Sequence, residues 1–108
     1  LEFLEVVGEA PRNDRAIMLE AVRKRPGCLE HASEALRNDT AFILAAVRAS
    51  DRQDILDIWE FVGEEPRNFR PVILEAVWKN PECLEYASEA LRRDKEIVVE
   101  AVRSAYLQ

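Results

Sequence analysis

Internal repetition constrains this chain more than any other feature of its sequence. A shift of 55 residues carries LEHASEALRND (29–39) onto LEYASEALRRD (84–94), and GEAPRND (8–14) onto GEEPRNF (63–69). A shorter shift of 25 residues lies inside each half. It lays LEVVGEAPRND (4–14) on LEHASEALRND, and AIMLEAVRKRP (16–26) on AFILAAVRASD (41–51). Four units follow, approximately 1–26, 27–51, 52–81 and 82–108, the third lengthened by about five residues around 50–54. Units this short cannot bury an apolar face alone and must lean on their neighbours. The expectation is one all-α domain over 1–108: a short helical-hairpin repeat array, solenoid-like, with about eight short helices.

Each unit reads as two helices joined by a polar corner. Leu29, Ala32 and Leu36, like Leu84, Ala87 and Leu91, are spaced three then four apart and line one face of a first helix. The second helix is apolar on two sides. Phe42, Ile43, Ala46 and Val47, and likewise Ile97, Val98, Ala101 and Val102, suit a helix held between neighbours. Asn13 or Asp14, Asn38 or Asp39, and Asp94 are positioned to accept from the free N–H groups that open the second helix. Asn80–Pro81 reads as a cap followed by a first-turn proline. Ser50 with Gln53 fits a capping box, which predicts a long first helix over 51–62. No Asn-Gly or Asp-Gly hairpin turn and no sustained period-two alternation argues for strands.

With these residues in view, the chain resembles an uncharacterised tandem helical repeat family, a domain of unknown function with the hallmark L-x-[YH]-A-S-x-x-L-R-x-D followed by a V-L-x-A-V helix. Leu29, His31, Ala32, Ser33, Leu36, Arg37 and Asp39 with Ala46 and Val47 carry the resemblance. Leu84, Tyr86, Ala87, Ser88, Leu91, Arg92 and Asp94 with Ala101 and Val102 carry it again. In the first and third units Gly8 and Gly63 replace the serine, and Pro11 and Pro66 replace the leucine. The resemblance implies a tandem helical fold and brings no active site with it.

The residue inventory is poor in chemistry. The single histidine, His31, has Tyr86 as its counterpart, which marks a packing or surface position and not a base beside a nucleophile. Cys28 and Cys83 occupy the same place in their units and lack the companions of a metal site, so both are expected to be free thiols that behave as small hydrophobes. Unpaired thiols fit the interior of a cell or organelle better than a secreted setting. Glu34 precedes Arg37 by three residues, as Glu89 precedes Arg92, so helix-surface ion pairing accounts for these carboxylates. Gly8 and Gly63 stand alone and suit close contacts or helix ends, not a phosphate loop. No catalytic, cofactor-binding or metal-binding residue is expected.

Charge narrows the partners. The chain is 48% hydrophobic and 33% charged with a formal net charge of -6, which opposes nucleic acid as the main partner and leaves another protein as the expected one. No apolar run approaches the roughly 20 residues that span a bilayer, so no membrane insertion is expected. Where the units depart from one another is the best guide to contacts. Arg23, Arg48 and Arg103 share a position that in the third unit is Trp78, and Asp14, Asp39 and Asp94 share one that is Phe69. Trp78 and Phe69, with Trp59 and Phe61 in the same unit, are the candidate protein-contact residues. Leu1, Phe3, Tyr106 and Leu107 are apolar at ends where a free-standing array wants polar caps. The reading is a non-catalytic interaction or scaffolding module, a piece of a longer array or a small subunit of an assembly. Two alternatives are a structural subunit beside a cofactor or pigment, with an apolar cleft near Trp59 and Trp78, and a hydrolase using carboxylates alone, with acidic side chains buried in a pocket.

Overall fold

A computed structural model describes residues 8–106, and these residues are helical without strands. The expectations on Leu1, Phe3 and Leu107 lie outside the described residues. Four longer helices carry the architecture: α2 (Arg15–Lys24), α4 (Thr40–Ala49), α6 (Arg70–Lys79) and α8 (Lys95–Tyr106). One-turn helices precede them: α1 (Glu9–Arg12), α3 (Glu34–Arg37), α5 (Glu64–Arg67) and α7 (Glu89–Arg92). The 3-10 helices Pro26–His31, Asp54–Leu56, Trp59–Phe61 and Pro81–Tyr86 lead into the last three of these. Each longer helix packs on the next in chain order, α2 on α4, α4 on α6 and α6 on α8, and the molecule extends 43 × 25 × 19 Å.

The longer helices start where the sequence predicts. The side chains of Asp14, Asp39 and Asp94, not those of Asn13 or Asn38, accept from the backbone N–H groups of Ile17, Phe42 and Ile97 at 3.0, 2.9 and 3.1 Å. Their apolar residues form a continuous core. Phe42, Ile43, Ala46 and Val47 of α4 and Val72, Ile73, Ala76 and Val77 of α6 are buried on both sides of their helices. This matches helices held between two neighbours.

The first helix of the second, third and fourth units, expected to be continuous, is broken. Leu29 lies in a 3-10 helix and Leu36 in α3, with Ala32 and Ser33 extended between them (ψ 152° and 157°). Two interactions impose the break. Ser33 caps α3 by accepting from the N–H of Leu36 at 3.2 Å, and its own N–H donates to the carbonyl of Arg12 at 3.0 Å. Ser88 repeats both bonds, to the N–H of Leu91 at 3.3 Å and the carbonyl of Arg67 at 2.9 Å. A carbonyl at the end of a one-turn helix has no partner within it, and the next segment supplies one.

The predicted helix over 51–62 is likewise corrected to a turn and two short 3-10 helices. There is no capping box. The Ser50 hydroxyl donates back to the Ala46 carbonyl at 2.8 Å, and Asp51 instead accepts from the N–H groups of Gln53 and Asp54 at 3.0 and 2.7 Å. Asn80 ties this insertion down. Its amide donates to the Arg52 carbonyl at 3.0 Å while its side-chain oxygen accepts from the N–H of Glu82 at 3.0 Å, the predicted cap before Pro81. The segment ends at Val62 and Gly63, where the Gly63 N–H reaches the Arg37 carbonyl at 2.9 Å.

Gly63 has no side chain with which to cap α5, and Asn38 supplies the acceptor from another segment. Its Oδ1 accepts from the Glu65 N–H at 3.1 Å. A Cβ on Gly63 would stand 2.2 Å from that oxygen, so the glycine makes room for the borrowed cap. Gly63→Ala should therefore expel Asn38 and destabilise the fold by about 1 kcal/mol, the usual worth of an N-cap. Gly63→Ser should stay near wild type, because its hydroxyl can cap α5 as Ser33 and Ser88 cap their own helices. Urea unfolding of the two variants tests this, and an alanine variant as stable as the serine variant would remove the role given to Asn38.

Candidate contact surface

The four aromatic residues singled out from the sequence do not form one patch. Trp59 is fully buried. Its ring stacks on Tyr86 with centroids 5.9 Å apart and planes 7° from parallel, and its Nε1–H donates to Cys83 Sγ at 3.3 Å. Phe61 is partly buried against the core. Only Phe69 and Trp78 are exposed, at 39% and 50%. They stand at opposite ends of α6, so about nine residues at 1.5 Å each separate them along the axis. Trp59 thus lies in the core and Trp78 at the surface, so the two rings do not line one face.

Trp78 keeps one property of the arginine it replaces. Its Nε1–H donates to Glu100 on α8 at 3.0 Å. At the corresponding place between α4 and α6, Arg48 pairs with Glu75 at 3.2 Å. The indole thus satisfies the same carboxylate position while adding a broad apolar face to the surface. Phe69 keeps less. It occupies the N-cap of α6 with no side-chain cap bond, where Asp14, Asp39 and Asp94 at its counterparts each cap a helix and the last two also pair with arginine. Asp39 pairs with Arg15 at 3.0 Å, and Asp94 with Arg70, which also reaches Glu96 at 2.9 Å.

These pairs set the local electrostatics. The Phe42 N–H, assisted by the Arg15 guanidinium, holds the Asp39 carboxyl below its ordinary value of 3.8. The Ile97 N–H and then Arg70 do the same for Asp94. Among the described residues the buried polar side chains are Ser50, Asn80 and Ser104, with no carboxylate. No group of three or more His, Cys, Asp and Glu among the described residues is placed to hold a metal, and none of their helices is long and apolar enough to cross a membrane. Neither Cys28 nor Cys83 forms a disulfide. Of the ion pairs expected along the helices, neither Glu34–Arg37 nor Glu89–Arg92 forms; Glu89 pairs with Arg93 at 2.6 Å, and Glu20 with Arg23 and Glu100 with Arg103 at 3.5 and 3.1 Å.

A family model described as Domain of unknown function (DUF4116) matches residues 14–65 and 70–107. The chain belongs to the DUF4116 family. No curated protein and no solved structure matches it. The two DUF4116 matches divide close to Phe69, the residue at which the corner aspartate is lost.

In this DUF4116 chain Tyr106, named from the sequence, is exposed, whereas Val102, expected on a face held between neighbours, is corrected to half-exposed, and Val99 and Ile17 were missed. Val99, Val102 and Tyr106 are exposed on α8, spaced three and four apart on the face opposite Ile97, Ala101 and Ser104, which are buried. Ile17 is exposed on α2. The signal was available in the alignment of units, because the counterparts of Val102 are the fully buried Val22, Val47 and Val77.

Two measurements follow. The depressed Asp39 and Asp94 carboxyls bind protons less tightly folded than unfolded, so their stabilisation is present above pH 3.8 and is lost as pH falls through the lower folded values. Melting temperature should therefore fall modestly as pH is lowered through 3.8 and below. Asp39→Asn with Asp94→Asn, which retains cap acceptors, should shrink that drop, and an unchanged acid limb would show that these pairs do not contribute to it. Burial pushes the Cys83 thiol up to about 11. A thiol reagent at mildly alkaline pH should therefore label Cys28 in the folded protein and Cys83 only in denaturant, whereas equal rates would contradict the buried Trp59–Cys83 contact.

Proposed function

We propose that this chain is a non-catalytic protein-binding or scaffolding module, a short solenoid-like array of four helical units that displays its exterior to another protein. The observation that carries the reading is Trp78, 50% exposed on α6 where the other units place arginine. Large aromatics with a satisfied polar handle are the residues that dominate protein interfaces, since they bury much area and lose little side-chain freedom. The indole N–H is already bonded to Glu100, so a partner that covers the ring leaves no donor unsatisfied. The ladder of bonds from Ser33, Gly63 and Ser88 to the carbonyls of Arg12, Arg37 and Arg67 supports the stacked arrangement, because the same contact recurs at each junction.

Affinity capture from the native source tests this reading, with wild type beside Trp78→Arg. The arginine restores the side chain of the sibling units and should leave helicity unchanged by circular dichroism. Partners retained by wild type and lost by the variant are the expected result, and an identical partner set would remove Trp78 from the contact surface.

A further inference from the structure

The two ends of the described chain expose the surfaces that its interior junctions hide. Helix α8 packs on α6 and on the 3-10 helix Pro81–Tyr86, so Ile97 and Ala101, which are buried, point back along the molecule. The opposite face carries Val99 and Val102, and Val102 is 50% exposed although Val22, Val47 and Val77 at its counterparts are fully buried. At the other end, Ile17 is 45% exposed although Phe42, Val72 and Ile97 at its counterparts are buried. Ile17 and Val102 thus expose, near the two ends of the described residues, apolar positions that the interior junctions bury.

Charges at the two ends complete the match. Interior junctions are bridged at two recurring places. The first joins Arg15 to Asp39 and Arg70 to Asp94, and is lost where the counterparts are Thr40 and Phe69. The second joins Arg48 to Glu75 and Trp78 to Glu100, and is lost where the counterparts are Arg23 and Ala45. The corresponding residues on α8 are Lys95 and Arg103, both basic, and those at the start of the described chain are Asp14 and Glu20, both acidic. Set end to end, Lys95 meets Asp14 and Arg103 meets Glu20. Both bridging places are then filled, whereas the junction between the first and second units and that between the second and third each fill only one.

We infer that a second copy of this chain docks head to tail, its Ile17 face on α2 seated against the Val99–Val102 face of α8, with Lys95–Asp14 and Arg103–Glu20 pairs flanking the contact. The contact joins unlike surfaces, so it repeats from copy to copy and builds an open stack instead of a closed dimer. The inference rests on reading the chain as a binding module, and it has its own readout. A protein that stays monomeric but still captures partners through Trp78 refutes the stacking alone.

Sedimentation velocity of the purified 108-residue chain from micromolar to millimolar concentration provides the test. Wild type should grow with concentration past the dimer. Val102→Arg and Ile17→Arg each alter an exposed residue, should retain wild-type helicity, and should each remain monomeric. Mixed together, the two variants should form dimers and nothing larger, because one keeps its α8 face and the other its α2 face. Arg103→Glu should weaken assembly, and Glu20→Arg in the same chain should restore it. Wild type monomeric at every concentration, association surviving in either single variant, or a mixture that stays monomeric would each overturn the proposal.

Discussion

The backbone N–H at Ser33, Gly63 and Ser88, donated to the arginine carbonyl that closes the preceding one-turn helix, is the contact on which the rest of the chain depends. A helix of four residues satisfies almost none of its own backbone groups, and in isolation it would not persist. By giving their last carbonyls to the next segment, α1, α3 and α5 become fixed corners. Each corner sets the direction of the longer helix after it; Asp14 and Asp39 then hold the starts of α2 and α4, while Phe69 leaves α6 without a side-chain cap. The price of the arrangement is continuity: the chain must become extended at Ala32, Val62 and Ala87 to present the N–H, so no long first helix survives.

Much of this was legible in the residues, and the misses have physical causes. The longer helices, their aspartate caps and their two-sided apolar faces follow from periodicity and capping chemistry, which act within one segment. The break at Ser33 does not. Serine at that position reads equally as a helix-interior residue, and only the Arg12 carbonyl, some twenty residues away, decides in favour of a cap. The helix predicted over 51–62 failed for the same reason, since Gly63 is drawn to Arg37 by a contact between segments.

The aromatic residues divide in an instructive way. Trp59 aligns with Leu29, a core position, and its burial could have been read from that alignment; grouping it with Trp78 because both are tryptophans obscured the difference. Trp78 aligns with arginines and remains at the surface, holding a carboxylate through its ring N–H. Side-chain type alone did not separate the two, whereas the company each position keeps among the units did. These exposed positions were harder to foresee, because Val102 and Ile17 look like core residues by every local criterion and their counterparts in the other units are buried.

The cap that Asn38 lends to α5 ties two distant parts of the chain into one cooperative element. Where a helix carries its own capping serine, fraying stays local. Here any opening that carries the α3–α4 corner away also uncaps α5, so the middle of the molecule opens as a block, whereas α7 keeps its own start at Ser88. Lengthened by an insertion and deprived of its own serine, the third unit is the one that cannot hold its shape without the second.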